Sequence, residues 1–289
     1  MTVIPSIKSD YLGKLAEQGK RMDGRRFDEY RKIEIETHVV SKAEGSARVR
    51  IGNTQVLAGI KMDIGVPYSD SPNSGVMTTS AELVPLASPD FEAGPPGGRA
   101  IELARVVDRG IRESQIIDVD KLCIVPDEKV WMVFIDIHIL DYDGNLFDTA
   151  SLASLAALFC TKVPMDRFKP LFEKLKNTCP SISDYLQQHP TDYPLPLREP
   201  PISCTSVKFN NVVVFDPSLD EEEIAEGIGD ARSHGARLTV ATDEKGHIRA
   251  MQKGLNGSFT REEIQKAIKA SIDNGNEIRQ ILYKSIGKK

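Results

Sequence analysis

The chain has 289 residues, a formal net charge of -5 and a pI near 5.7. That length leaves room for one large domain or two smaller ones around a substantial core. The acidic balance excludes a free-standing, nonspecific nucleic-acid binder, whose phosphate affinity needs net basic surface; any RNA or DNA contact has to come through a local patch or a more basic partner.

The N-terminal stretch MTVIPSIKSDYLGKL lacks the apolar core of a signal peptide, and no run reaches membrane-spanning length. Cys123, Cys160, Cys179 and Cys204 form no CxxC pair and no zinc spacing. The expectation is a cytoplasmic chain with reduced thiols, no metal site and no membrane partner. Residues 45–64 predict a hairpin: Val49 and Ile51 alternate with Arg48 and Arg50, Gly52-Asn53 turns, and Val56-Leu57-Ala58-Gly59-Ile60 returns.

From Glu92 to Arg112 a Pro- and Gly-rich turn opens into a helix. At 100° per residue, Arg105, Arg109 and Arg112 share a narrow arc, opposite Leu103, Val106, Val107 and Ile111. Arginine binds phosphate through a planar fork and stays charged, so a core-anchored stripe of this kind is a rigid anion reader. The plainer reading is a solvated face. Glu102 precedes Arg105 by three, Asp108 precedes Arg112 by four, and Glu113 follows Arg109 by four. GPPGGR at 94–99 lacks the GK[ST] ending of a P-loop, so a nucleotidase is rejected. Gly97 and Gly98 leave amides at a helix start, a place for an anion or simply a turn.

Lys129 to Asp141 is apolar on both faces for much of its length and predicts a central strand covered on both sides. Asp143-Gly144-Asn145 turns the chain, and Asp148 or Thr149 is expected to cap the small-residue helix ASLASLAALF. Between Pro164 and Pro201 lie eight of the 17 prolines, which predicts a connector with a short helix at 167–177. Few buried contacts are expected to depend on residues 165–193. Cys204 to Asp216 predicts a hairpin turning at Asn210-Asn211, and 237–252 a second one. Thr260 and Glu263 form a capping box that opens a long helix. The acidic run 220–223 reads as a solvated helix start rather than a metal site. His138, in the central strand, reads as a core or interface histidine, and no Ser/His/Asp or Cys/His arrangement emerges. Hairpins followed by a helix occur twice, which suggests two α/β halves, each a sheet with helices on one face.

These residues add up to a family. Arg21-Met22-Asp23-Gly24-Arg25 resembles the RxDGR opening of RNase PH-type proteins, and EGSARVRIGNTQVLAGIK resembles their first sheet. PNSGVMTTSAELVPLASPDFEAGPP, IELARVVDRGIRES and VPDEKVWMVFIDIHILDYDGNLFDTASLASLAALFCTKVP resemble the non-catalytic RNase PH-like subunits of the archaeal exosome. The resemblance covers most of 20–164 and resumes more weakly over 194–254. Residues 165–193 look atypical and read as an insertion, and ARSHGAR at 231–237 looks longer than usual.

The resemblance implies an α/β, two-layer RNase PH fold made of tandem S5-domain-2-like units. The first domain is 1–164, the connector 165–193 and the second domain 194–289. It further implies a ring of three heterodimers with a catalytic sister, a trimeric RNA-binding cap, and phosphate-dependent 3′-to-5′ RNA degradation by the sister. Active subunits carry a phosphate-binding Arg after the turn that follows the central strand; here Phe147 stands in that place. Active subunits also carry an aspartate pair downstream of a strand ending like Val214-Phe215-Asp216; here Glu222 falls near the first position and Asp230 near the second, with disturbed spacing. No catalytic residue, metal or cofactor is therefore assigned. In this branch two helix arginines hold RNA at the sister's active site, and they match Arg105 and Arg109; Arg112, on the same face, is a lesser candidate, and Arg99 either adds a phosphate contact or only salt-bridges to Glu102. The alternatives are a self-sufficient phosphorolytic exoribonuclease with a divergent site, and a pure scaffold without RNA contact.

Overall fold

The computed structural model describes residues 6–176, 182–227 and 235–287, with side chains from residue 11 onward. A helix, α1 (Ser6–Glu17), leads into the antiparallel strands β1 (Ile33–Thr37), β2 (Gly45–Ile51) and β3 (Thr54–Gly65). Gly52, at φ 61°, turns β2 into β3 where a side chain would be strained. β4 (Val76–Leu83), α2 (Gly98–Glu113), β5 (Cys123–Val125) and β6 (Lys129–Asp141) follow. The first sheet runs β1-β2-β3-β6-β4, with β4 parallel to β6 and β5 pairing β6.

β6 occupies the predicted residues and is central, but only one of its faces is covered. Val133, Ile135, Ile137 and Ile139 are buried, whereas Met132, Phe134, Asp136 and His138 are half-buried. The helices pack on one side of this sheet only, so alternation wins over the apolar run. His138 accordingly lies on the open face beside Glu82, 3.4 Å away, and not in the core.

The N-cap of α3 (Leu146–Phe159) lies three residues before Asp148 and four before Thr149, the expected caps. Asn145 is its N-cap, in a left-handed conformation at φ 54°, and offers no side-chain cap bond. Asp148 serves long-range contacts instead. It accepts bonds from Tyr30 Oη (2.7 Å), Thr205 Oγ1 (2.7 Å) and the Thr205 N–H (2.8 Å). Every residue from Leu146 to Leu158 is buried. Ala150, Ala153, Ala156 and Ala157 allow that, because small side chains let backbones approach on all sides.

β7 (Lys162–Val163), α4 (Met165–Lys176), α5 (Ile182–Gln188) and β8 (Tyr193–Pro194) come next. This stretch is not a bare connector, and the expectation of few buried contacts is not met. Met165, Phe172 and Ile182 are at most 2% exposed. Trp131 of β6 meets Phe168 and Phe172 edge-on and donates from Nε1 to Tyr185 Oη at 2.7 Å. Pro170 does not prevent α4, because its amphipathic spacing buries one side. Asn177, the end of the predicted helix, lies outside the described residues.

The second sheet runs β10-β9-β11-β12, from β9 (Ile202–Phe209), β10 (Val212–Phe215), β11 (Ala236–Thr242) and β12 (Ile248–Gly254). Asn210 and Asn211, at φ 45° and 63°, make the tight turn the sequence predicts. α6 (Leu219–Glu226) sits between β10 and β11, and α7 (Arg261–Ser285) closes the described chain. Thr260 Oγ1 accepts from the Glu263 N–H, and Glu263 accepts from the Thr260 N–H, completing the predicted capping box. This sheet has helices on both faces, contrary to the one-sided expectation. Ser203 and Thr205 bond to α3, while the intervening Cys204 turns its thiol to the Ser271 carbonyl of α7. α3 therefore lies between the two sheets.

Candidate RNA-binding face

α2 is fixed by Leu103, Val107 and Ile111, each at most 2% exposed, so its outer face has one direction. Arg105, Arg109 and Arg112 are all exposed on that face. Their partners differ from the helical pattern. Arg105 has no hydrogen-bond or ion-pair partner among the described residues. Arg109 donates to Gln252 Oε1 of β12. Only Arg112 makes the expected i,i+4 pair, at 2.9 Å from Asp108, and it also donates to the Met77 carbonyl at 3.0 Å. Glu102 turns away to Arg237. Arg99 pairs with Glu226 at 2.6 Å and not with Glu102. Arg112 and Arg99 thus each meet a carboxylate, and Arg105 meets none among the described residues. A groove of about 620 Å³ runs along this helix between it and β4, and Tyr68, Thr78 and Ser80 line it with the arginines. Sequence reading missed Tyr68 and Gln252, because neither shares a local motif with the stripe.

Phe147 sits in the first turn of α3 and is 8% exposed. The Arg237 guanidinium lies over its ring, 4.0 Å from the centroid, and donates to Glu102. The Arg237 cation is therefore stacked on a phenyl ring and neutralised by a carboxylate. Arg237 was not singled out from sequence; its partner Glu102 is 135 residues away.

The acidic run is a helix start, as predicted, but it is not solvated. Glu221, Glu222 and Glu223 are buried at the first turn of α6. Glu221 is clamped by Arg21, with Nη2 2.6 Å and Nε 2.9 Å from its carboxylate. Asp216 accepts from Arg25 (2.7 Å), Arg31 (2.8 Å) and Asn145 (2.8 Å). Burial pushes its carboxyl up, but the Arg31 guanidinium outweighs that and holds it below the usual range. Gly144, at φ 86°, lets the 143–145 turn press against the Pro217 carbonyl; an added Cβ would collide there. That contact brings Asn145 N–H within 3.0 Å of Glu222, which also accepts from Tyr142 Oη at 2.7 Å. Glu222 is thus covered and engaged. Asp230 and residues 231–234 lie outside the described residues.

Burial raises the Glu222 carboxyl to about 7 and Asp148 to about 6, against hydrogen bonds that pull both down. A folded pKa above the ordinary 4.5 means the folded state holds the Glu222 proton more tightly than the unfolded chain. Its stabilising contribution is complete below about pH 4.5 and is lost as pH rises through about 7. The expected result is a Tm that falls from pH 5 to 7, with a shallower fall in Glu222→Gln. Parallel melting curves for both proteins across that range would show the idea wrong.

Comparison with known proteins agrees with this architecture. The model of the 3′ exoribonuclease family, domain 1, matches residues 29–164, and that of domain 2 matches 199–274. A relative from Thermococcus kodakarensis, "Exosome complex component Rrp42", is 48% identical over 288 residues, covering 100% of this chain and 98% of its own length. This chain belongs to the 3′ exoribonuclease (RNase PH) family. A Methanocella arvoryzae protein of the same name is 49% identical over 280 residues, covering 97% of each chain. The Thermococcus match spans the chain, residues 165–193 included. Among solved structures, a chain of the Archaeoglobus fulgidus exosome with RNA bound to the active site superposes at TM-score 0.82. It shares 44% identity and covers 95% of this chain and 97% of that one. Rice Rrp46, at 16% identity and TM-score 0.62 over 92% of this chain and 100% of that one, shares the fold. The RNase PH resemblance and the two-unit α/β fold expected from the sequence are both borne out.

Proposed function

We propose that this chain is a non-catalytic subunit of an archaeal-type exosome ring, working in the cytoplasm. It completes the active site of a catalytic RNase PH-like sister in three heterodimers beneath a trimeric RNA-binding cap, and it holds RNA with Arg105 and Arg109. The observation that carries the loss of chemistry is the Phe147–Arg237–Glu102 stack. Phosphorolysis needs a free cation to position the attacking phosphate and acids at the cleaved bond. Here Arg237, stacked on Phe147, is engaged by Glu102, and Glu222 is covered by Tyr142 and Asn145.

The isolated chain is expected neither to shorten RNA with inorganic phosphate nor to extend it with nucleoside diphosphate. Phe147→Arg alone should not restore activity, since Glu222 stays covered. Robust phosphate-dependent 3′ trimming by the pure chain would favour the self-sufficient exoribonuclease and end this reading. A pure scaffold finds support in Arg99 and Arg112, whose charges are met by Glu226 and Asp108. Arg105, exposed and without a partner among the described residues, favours the gripping role.

A further inference from the structure

Past the last arginine of the stripe, α2 ends over a second crevice, of about 360 Å³. Tyr68, Ser74, Arg112, Gln115, Asp118 and Arg198 are among its walls. Tyr68 and Arg112 also line the groove that holds Arg105 and Arg109, so the two spaces adjoin at these side chains. Tyr68 is 61% exposed. It stands after Pro67, whose ring fixes φ, and its carbonyl accepts from the Ser71 N–H at 3.1 Å. An aromatic face is thus presented to solvent from a closed turn.

The charges in the crevice balance. Arg112 pairs with Asp108, and Asp118 is met by Arg198 at 3.4 Å and Lys121 at 3.3 Å. Asp120 accepts from Ser74 at 2.6 Å, and Gln115 Oε1 accepts from Arg198 at 3.3 Å. No free cation remains to attract a phosphate, in contrast to Arg105. What the walls offer is guanidinium donors, carboxylate and amide acceptors, and a π-face. Those are the groups that recognise the edge and the face of an unstacked base.

We infer that this crevice is a nucleobase pocket, in which Tyr68 stacks a base of the RNA whose phosphates Arg105 and Arg109 hold. The inference rests on the RNA-gripping reading and adds base contact to it. The test is RNA binding by the ring reconstituted with its catalytic partner. The probes are oligo(A) and a matching oligonucleotide with abasic residues in its 3′ half. Tyr68→Ala should weaken oligo(A) binding about tenfold and leave abasic RNA unchanged. Tyr68→Phe should bind oligo(A) as the wild type does, because the ring is kept. Unchanged oligo(A) binding by Tyr68→Ala would overturn the pocket. If Arg105→Glu/Arg109→Glu weakens binding in the same assay, the gripping role survives that failure; if it does not, both fall. Equal losses on oligo(A) and abasic RNA overturn the pocket too. Loss of ring mass in Tyr68→Ala would make the crevice a protein contact instead, and also overturns it.

Discussion

A ring built with Arg105→Glu and Arg109→Glu is expected to assemble normally and to hold RNA about a hundredfold less tightly. Both side chains are exposed on α2 while Leu103, Val107 and Ile111 carry the packing, so the fold keeps its core. Each lost charged hydrogen bond costs roughly 1–3 kcal/mol, and the new carboxylates repel the backbone. The defect should deepen at low salt, where phosphate contacts count most, and the slope of affinity against salt should fall. Degradation by the partner should lose processivity. An intact ring with unchanged RNA retention would leave the scaffold reading standing in its place.

Phe172→Ala is expected to cost about 3–5 kcal/mol of stability. Phe172 is 2% exposed and meets Trp131 edge-on, with ring centroids 6.2 Å apart. Its removal leaves a cavity beside the largest buried ring, at the end of β6. Denaturant midpoints give the measurement, and Phe172→Leu should fall between the two. A loss below about 1 kcal/mol would mean that α4 is only loosely laid on the sheet.

What could be read from the sequence was local. Gly52 and Asn210-Asn211 mark their turns because few other residues accept positive φ. Thr260 and Glu263 sit three apart and satisfy each other, so the cap is visible within four residues. The arginine stripe is likewise a property of one helix, and its direction follows from Leu103 and Val107. The misreadings share the opposite character. Glu221 looks solvated until Arg21, 200 residues earlier, is placed on it. Asp148 looks like a cap until Thr205 claims it. The neighbours that separate Arg105 from Arg112 are likewise set by tertiary placement: Glu102 is drawn to Arg237, which no helical spacing reveals. Prolines in 164–201 announce interruptions, yet they do not tell whether the pieces between them are buried.

The placement of α3 has a consequence for how the molecule comes apart. By descent the chain is two units, but one helix of the first unit forms the floor of both sheets. Ala150, Ala153, Ala156 and Ala157 are fully buried, and Ser151 and Asp148 reach Ser203 and Thr205 of the second sheet. Melting either half strips apolar cover from the other, so no half-folded species keeps a closed core. The boundary written in the sequence near residue 164 is therefore not a seam in the energetics. The two units are expected to unfold in a single transition, which calorimetry would show.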